Sequence, residues 1–337
     1  MDPLLLSAMT RQAGVFATAD ALAAGIDRNA IGPLLRSGAW RRLRYGVYTT
    51  GEVWRRHEAE GRTHRLACAA VLRRLDREPV VVSHTSAARL HRLVLPRPVG
   101  TDVRLTDPVQ FRTGRGYRIN AAPLAADDVR ELDGLPVTTI ARTLADVGRE
   151  WRLVDTVVAV DDALADGRVS LDHLRTAVLA QTHWVNCGRA ARAFSLARVG
   201  AHSPHETRTR LAIQELGLPE PVLQCAVLVG SRLVAVLDMC WPDHGVFVEC
   251  DGKVKYTEPW HQRTPADVLW QEKRRHDALL DLDLRGVRIS PDDVFGGLTD
   301  KGDRLVTLLE RGPVATPRYR TAPWHGGLRL QPTTAAG

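Results

Sequence analysis

Residues 203–290 alternate between helical and extended patterns in a fixed order. Ser203-Pro204 is typical of a helix start, because serine caps the first turn and proline fits its first position. The helix is predicted to end at Glu215, before Gly217. Three β-branched runs, a basic helical stretch and a short apolar run follow, at 221–229, 232–240, 246–256, 266–282 and 287–290. We therefore predict helix, three strands, helix and strand.

Charged residues recur near the ends of these predicted strands. In VFVECDGKVKY, strand alternation places Glu249, Asp251 and Lys253 on one face. Asp238 follows the apolar run VAVL on the neighbouring strand, and Glu206 lies in the first turns of the preceding helix. Carboxylates and an ammonium are costly to bury together without a compensating ion. Clustered hard oxygen ligands of this kind favour Mg²⁺ or Mn²⁺ over zinc.

The strings SPHE, VAVLD and VECDGK resemble the restriction-endonuclease-like, PD-(D/E)XK nuclease fold, in the subgroup similar to very-short-patch-repair endonucleases. The resemblance implies an α-β-β-β-α-β domain over residues 201–311 that hydrolyses phosphodiester bonds as a Mg²⁺-dependent endonuclease. It implies that the catalytic residues are Glu206, Asp238, Glu249, Asp251 and Lys253. Of these, Asp238, Glu249 and Asp251 hold the metal by this resemblance. Lys253 is the catalytic lysine by this resemblance, and Glu206 is a supporting carboxylate.

Two assignments stay open within this motif. The element reads E-x-D-G-K, so either Glu249 or Asp251 holds the main ligand position. Lys255 competes with Lys253 for the lysine role, because a bulge at Gly252 would change which of them faces inward. The helix that follows carries QEKRRHDAL, which resembles the basic helix of the same subgroup. Its residues predicted to meet the nucleic-acid backbone, or to brace the site, are Gln271, Lys273, Arg274 and Arg275.

The first 60 residues show three short helical patterns followed by two short alternating runs. This order is typical of a winged helix-turn-helix, whose third helix enters the major groove of DNA. Arginines on the third helix and on the wing are predicted to contact DNA, namely Arg28, Arg36, Arg41, Arg42 and Arg44. The alternative is a helical interaction domain whose arginine face is merely solvated.

The string FATADALAAGIDRNAIGPLLRSGAWRRLRYGVY resembles the winged-helix domain of AbiEi-family antitoxins of type IV toxin–antitoxin systems. The strings VSHTSAARLHRL and LPVTTIARTLADV are similar to the segments that follow it in that family. The resemblance implies that the winged helix binds promoter DNA and that the rest opposes a nucleotidyltransferase toxin. It gives an alternative function, a non-enzymatic antitoxin and transcriptional regulator with an inactive nuclease-like domain.

Together these patterns predict a multidomain α+β or α/β protein. The predicted parts are a winged helix over 1–60, a mixed α/β middle region over 61–200 and the nuclease-like domain over 201–311. A tail rich in Pro, Gly and Thr, over 312–337, is predicted to be disordered. The middle region offers no catalytic motif. His84 and His91 lie seven residues apart with no third ligand nearby, so we interpret them as structural.

The composition indicates which classes of binding partner and which cellular location to expect. The 46 basic residues exceed the 39 acidic ones, and the net charge of +7 favours polyanions such as DNA, with RNA as an open alternative. Five scattered cysteines without a CxxC pair support neither a disulfide framework nor a cysteine zinc site. No apolar stretch long enough for a membrane and no signal peptide is found, so we expect a cytoplasmic protein. Helix-turn-helix proteins are often dimers, so a homodimer stays open.

Overall fold

A computed structural model describes residues 2–251 and 265–324, without the side chains of residues 265–269. The chain forms two compact units, Met1–Leu196 (unit 1) and Ala197–Gly337 (unit 2). Each unit combines helices with a mixed β-sheet, which confirms the expected mixed α/β multidomain class. Within the described ranges, no helix is both long and apolar enough to cross a membrane.

Unit 1 begins with three helices and a small antiparallel sheet. In chain order these are α1 (Pro3–Arg11), β1 (Phe16–Ala17), α2 (Thr18–Ala23), α3 (Arg28–Arg36), β2 (Trp40–Arg44) and β3 (Val47–Thr50). The strand order is β1-β3-β2, so the chain also contributes a short strand between the first two helices, which the sequence did not predict. The rings of Phe16 and Trp40 meet edge to face with centroids 4.6 Å apart, and Tyr48 packs beside both.

The rest of unit 1 is a six-stranded mixed sheet with helices around it. Its elements are α4 (Gly51–Ala59), α5 (Thr63–Leu75), β4 (Val81–Val82), α6 (His84–Leu90), β5 (Val103–Asp107), β6 (Arg112–Gly114), β7 (Tyr117–Ala121), β8 (Val129–Leu132), β9 (Leu135–Thr138), α7 (Ile140–Gly148), α8 (Leu153–Ala165), α9 (Leu171–Leu179) and α10 (Cys187–Leu196). The strand order is β6-β7-β5-β4-β9-β8. The sequence predicted neither α4 nor the β8–β9 hairpin, which turns at Asp133-Gly134 with positive φ at both residues.

One hydrophobic core joins the first 60 residues to the region predicted as a separate domain. Val15 and Val47 belong to the same buried cluster as Leu66 on α5 and Val82 on β4. Small three-helix segments bury little apolar surface by themselves. The structure therefore has one compact unit where the sequence predicted two domains, and the next boundary falls after Leu196.

Unit 2 follows the helix, three strands, helix, strand order and then adds further elements. In chain order these are α11 (Pro204–Glu215), β10 (Val222–Val229), β11 (Arg232–Trp241), β12 (Val246–Cys250), α12 (Pro265–Leu280), β13 (Arg285–Ile289), α13 (Pro291–Phe295), α14 (Thr299–Leu309) and β14 (Arg320–Pro323). The sheet order is β13-β12-β11-β10-β14, antiparallel except for the β12–β13 pair. Ser203 caps α11 as predicted, since its Oγ accepts the Glu206 N–H at 3.2 Å.

The prediction of disorder from residue 312 onward is wrong for Arg320–Pro323. This segment pairs antiparallel with β10, from Cys225↔Pro323 to Leu228↔Arg320. Tyr319, just before it, is buried in the same cluster as Cys225, and its hydroxyl donates to the Pro242 carbonyl at 3.2 Å. Composition alone could not reveal a strand whose partner lies about a hundred residues earlier. The predicted extension of β12 beyond residue 251, with Lys253 and Lys255, lies outside the described residues.

Candidate functional site

Polar side chains lie on four adjacent strands of the unit 2 sheet. Glu249 on β12 is the register partner of Arg288 on β13. Asp238 on β11 reaches across to β12, where its Oδ2 accepts the Cys250 N–H at 2.8 Å. Gln224 on β10 lies between the two register pairs of β10 and β11 that flank Asp238. The β-sheet thus brings together side chains that are far apart in the sequence.

Glu206 joins these strands from the first turn of α11. Its carboxylate accepts hydrogen bonds from the His202 N–H at 2.9 Å, the Ser203 hydroxyl at 2.9 Å and the Gln224 side-chain amide at 3.1 Å. Part of this arrangement is a helix cap, since a glutamate at the third helical position commonly reaches back to the residues before the helix. The contact to Gln224 goes further, because it ties the cap to the sheet. We call Glu206, Asp238, Glu249 and Asp251 the carboxylate row.

At the Glu206 end of the row, no positive side chain pairs with a carboxylate among the described residues. Burial raises the pKa of Glu206, and the nearby Asp238 raises it further, whereas the three hydrogen bonds oppose the shift. Neither Glu206 nor Asp238 forms an ion pair within the part of the chain that the structure describes. Within the described residues, no cation offsets the repulsion between the buried Glu206 and the half-buried Asp238.

The Glu249 end of the row is neutralised by arginines. Glu249 is 6% exposed, its Oε1 lies 2.6 Å from Nη2 of Arg275 on α12, and its Oε2 lies 3.6 Å from Nη2 of Arg288. Burial raises the pKa of Glu249, Arg275 and Arg288 oppose this, and Asp238 and Asp251 add to the rise. Among the described residues, the row therefore changes along its length from two carboxylates without an ion-pair partner to a carboxylate that contacts two guanidinium groups.

Arg288 connects the row to α12. Its guanidinium lies 3.4 Å from Asp251, 3.6 Å from Glu249 and 3.0 Å from Glu272. The Asp251 N–H donates to the Ile289 carbonyl at 3.1 Å, so the β12–β13 pairing continues to Asp251 and fixes it beside Arg288. Arg288 was not predicted from the sequence, although an arginine in the strand parallel to the acidic one was a usable signal.

Of the five residues predicted as catalytic, Glu206 lies near Asp238, and Glu249 lies near Asp238 and Asp251. The fifth, Lys253, lies outside the described residues. Of the predicted nucleic-acid contacts on α12, Arg275 turns to Glu249, whereas Lys273 and Arg274 are exposed. Gln271 is exposed as well. Gln224, which bridges α11 and the sheet, is a second residue that the sequence analysis missed. It is buried with a left-handed φ of 46°, and nothing in the local sequence indicates that conformation.

The oxygen atoms of the carboxylate row can be compared with the ligands that a divalent cation requires. Among the described residues, no three His, Cys, Asp or Glu side chains are gathered into a shared metal site. The Glu206–Asp238 end fits a hard cation, because its oxygen donors are partly buried and form no ion pair with any residue that the structure describes. Glu249 fits less well, since Arg275 and Arg288 already neutralise its carboxylate. A cation would therefore be held toward Asp238 rather than toward Glu249.

The five N-terminal arginines predicted to contact DNA differ in their surroundings. The guanidinium of Arg41 stacks 3.7 Å above the ring of Trp54. Arg44 donates to the carbonyls of Arg115 and Gly116 at 2.9 and 3.1 Å, at the β6–β7 turn. The three remaining arginines are exposed and form no ion pair within the described ranges, namely Arg28, Arg36 and Arg42. Arg44 therefore has an intramolecular role that its place on the predicted wing did not indicate.

By fold, the chain is a mixed α/β protein of two units, and no family model matches it. It is 26% identical over 294 residues to two Mycobacterium tuberculosis proteins described as uncharacterized, MT2308 of strain CDC 1551 / Oshkosh and Rv2248 of strain H37Rv. These alignments cover 83% of this chain and 96% of each relative. The crystal structure of the RV2827C protein from M. tuberculosis is similar with a TM-score of 0.37 and 17% identity, over 62% of this chain and 81% of that one. A TM-score of this size supports no conclusion about function.

Proposed function

We propose that the chain is a DNA-binding protein whose unit 2 is a Mg²⁺- or Mn²⁺-dependent endonuclease that hydrolyses phosphodiester bonds. One observation carries the proposal. Asp238 on β11 lies close enough to Glu206 on α11 and to Glu249 on β12 to raise the pKa of both, within an α-β-β-β-α-β order. Buried carboxylates with raised pKa values are typical of functional sites. The PD-(D/E)XK resemblance implies the same order and the same residues.

The chain's own residues take distinct roles in this proposal. Asp238 would hold the divalent cation, and Asp251, which Arg288 contacts at 3.4 Å, keeps the second ligand position that the resemblance implies. A bound cation would neutralise charge that develops on the phosphodiester. Glu206, fixed by Ser203 and Gln224, keeps the Asp238 side negative and so favours the cation. Lys253 keeps the role that the resemblance implies, the orientation or deprotonation of the attacking water.

The DNA-binding part of the proposal rests on unit 1. Its element order of helix, strand, helix, helix and two strands supports a winged helix-turn-helix. Arg28, Arg36 and Arg42 are exposed on α3 and β2, where they can meet phosphates without first breaking an ion pair within the described residues.

Plasmid cleavage tests the hydrolase. Purified full-length protein is incubated with supercoiled plasmid in Mg²⁺, Mn²⁺ or EDTA, beside Asp238→Asn, Asp251→Asn and the exposed control Asp243→Asn. We expect metal-dependent nicking by the parent and by Asp243→Asn, and rates at least about 100-fold lower for the two site variants, because each removes a charge that stabilises the transition state. Equal cleavage by all four proteins would refute the site assignment.

A second candidate is a non-enzymatic DNA-binding regulator of the AbiEi type. The ion pairs of Glu249 with Arg275 and Arg288 favour it, because they neutralise a carboxylate that an active metal site would use. This candidate predicts that the plasmid is retained in a gel-shift assay but stays supercoiled in every metal. A nucleotidyltransferase toxin that is co-purified with the chain would support it further.

A further inference from the structure

A basic groove lies beside the carboxylate row, between α12, β13 and α14. Its volume is about 590 Å³. We define the basic groove by the five cationic side chains that line it, Arg285, Arg288, Lys301, Arg304 and Arg311. No Asp or Glu belongs to its lining among the described residues. The described lining therefore carries an excess of positive charge, unlike the adjoining row.

Most of these cations have no ion-pair partner in the described part of unit 2. Arg285, Lys301, Arg304 and Arg311 form no ion pair within the described residues, and the three arginines among them are exposed. Arg288 differs, because it is the register partner of Glu249 and lies within 4 Å of three carboxylates. It lines the groove on one side and contacts the carboxylate row on the other, so the two sites share a wall.

The floor of the groove is apolar and closely packed. Phe247, Leu280 and Leu308 line it together with Gly286. A Cβ atom at Gly286 would lie 2.3–3.0 Å from three ring carbons of Phe247, so only glycine lets that ring lie flat against β13. An apolar floor under cationic walls matches a nucleic-acid strand, in which apolar sugars alternate with anionic phosphates.

The length of the groove also fits a strand. Lys301 lies in the first turn of α14 and Arg311 just beyond its C-terminus, so the two are separated by roughly 15 Å at 1.5 Å per helical residue. DNA rises about 3.4 Å per nucleotide on each strand, so this distance corresponds to roughly four nucleotides.

We propose that the basic groove binds the phosphodiester backbone of the DNA strand that the carboxylate row acts on. The proposal rests on the hydrolase function above and adds the path of its substrate. Arg288 is the positioning residue at the junction, because it links the groove to Glu249 and Asp251. The same cationic side chains could bind free inorganic phosphate, and the experiment distinguishes it from the phosphate groups of DNA.

The test is the salt dependence of binding to a fluorescently labelled DNA duplex, measured by anisotropy on the full chain. The groove variant combines Lys301→Ala, Arg304→Ala and Arg311→Ala. A control removes the same charge at exposed arginines elsewhere, by Arg175→Ala, Arg192→Ala and Arg232→Ala. We expect the slope of log K against log salt to fall by about 0.9 for each lost phosphate contact in the groove variant, and to stay at the parental value in the control.

Three outcomes decide the matter. A groove variant that binds DNA with the slope and affinity of the control overturns the proposal, whether or not the chain cleaves DNA. A reduced slope that persists in an Asp238→Asn background supports the groove, even if no protein cleaves plasmid and the hydrolase function fails. Saturable binding of inorganic phosphate by calorimetry, lost in the groove variant while duplex binding is unchanged, overturns the DNA strand in favour of a small anion. Lys301→Arg with Arg304→Lys and Arg311→Lys, which preserves charge, should restore the slope.

Discussion

Asp146 in unit 1 and Glu206 in unit 2 are both carboxylates whose pKa is raised by burial, but their surroundings differ. Asp146 is fully buried and accepts hydrogen bonds from Arg142 at 3.1 Å, Arg149 at 3.3 Å and Gln181 at 3.1 Å. Glu206 has neutral donors and a negative neighbour, Asp238. A buried charge completed by its own unit serves stability, whereas one left uncompensated is a candidate for binding something else.

The arginines around Asp146 are themselves held in place. The guanidinium groups of Arg142 and Arg149 both lie 4.9 Å from the ring of Trp184, and Arg142 also pairs with Asp128 at 2.6 Å. This cluster lies in the region where the sequence analysis found no catalytic motif. Its polar groups are explained by packing and ion pairing within unit 1, and we assign it no chemistry.

The largest expected effect is the loss of stability when Asp146 is removed. Asp146→Ala should lower the free energy of unfolding by about 3–5 kcal/mol, because Arg149 and the buried Arg142 would both lose the Asp146 carboxylate and, among the described residues, only Arg142 would keep another, Asp128. Asp238→Ala should change it by less than about 1 kcal/mol, since it also relieves the repulsion with Glu206. Urea unfolding measures both, with the exposed Asp172→Ala as control. Equal losses for Asp146→Ala and Asp238→Ala would remove the distinction between the two regions.

The pH dependence of stability gives the next largest effect. Burial lowers the pKa of His84 to about 3, from its ordinary value of 6.5. The unfolded chain therefore binds this proton first, so the contribution of His84 to stability is complete above pH 6.5 and is lost as the pH falls toward 3. We expect a loss of about 2 kcal/mol by pH ~5.

His84→Asn tests this expectation. Asparagine tolerates the left-handed φ of 50° at this position and keeps a polar partner for Ser83. The variant should unfold in urea with a flatter dependence on pH than the parent between pH 6.5 and about 5. The exposed His173→Asn is the control and should keep the parental slope. A steep acid loss that survives in His84→Asn would assign it to other groups.

The N-terminal arginines extend the comparison to cations and give the smallest effect. Combined Arg28→Ala, Arg36→Ala and Arg42→Ala should weaken DNA binding about tenfold and lower its salt slope, because these exposed side chains are free to meet phosphates. Arg44→Ala should leave the slope unchanged, since its guanidinium already binds the carbonyls of the β6–β7 turn. Fluorescence anisotropy on labelled duplex measures both. The opposite ranking would return Arg44 to the predicted wing contact.

Local signals predicted much of unit 2 from the sequence. Ser203-Pro204 indicated the start of α11, and the Gly230-Ser231 turn indicated the β10–β11 hairpin. Alternation and strand order also predicted that Asp238 and Glu249 would lie on neighbouring strands. These features depend on residues close in the chain, and the bounds of α11, β10 and β11 agree with the prediction to within one residue.

Long-range features could not be predicted in the same way. The contact of Arg275 with Glu249, the bridge from Gln224 to Glu206 and the core shared by α5 with β3 all join segments distant in sequence. Periodicity shows which face of an element is apolar but not which distant element covers it. α14 was also missed, but for another reason. Its residues Lys301, Arg304 and Leu308 recur at helical spacing, so a local signal for this helix was present and was not used.

The pairing of β14 with β10 has a consequence for how unit 2 assembles. Every other strand pair of this sheet joins segments that are nearer in sequence, whereas β14 must return to β10 across about a hundred residues. Closing so long a loop carries an entropic cost that is met only after the rest of the sheet is in place. Until then, the N–H and C=O groups of one edge of β10 are open to strands of other molecules. By pairing with these groups, β14 therefore protects unit 2 against aggregation through the edge of β10.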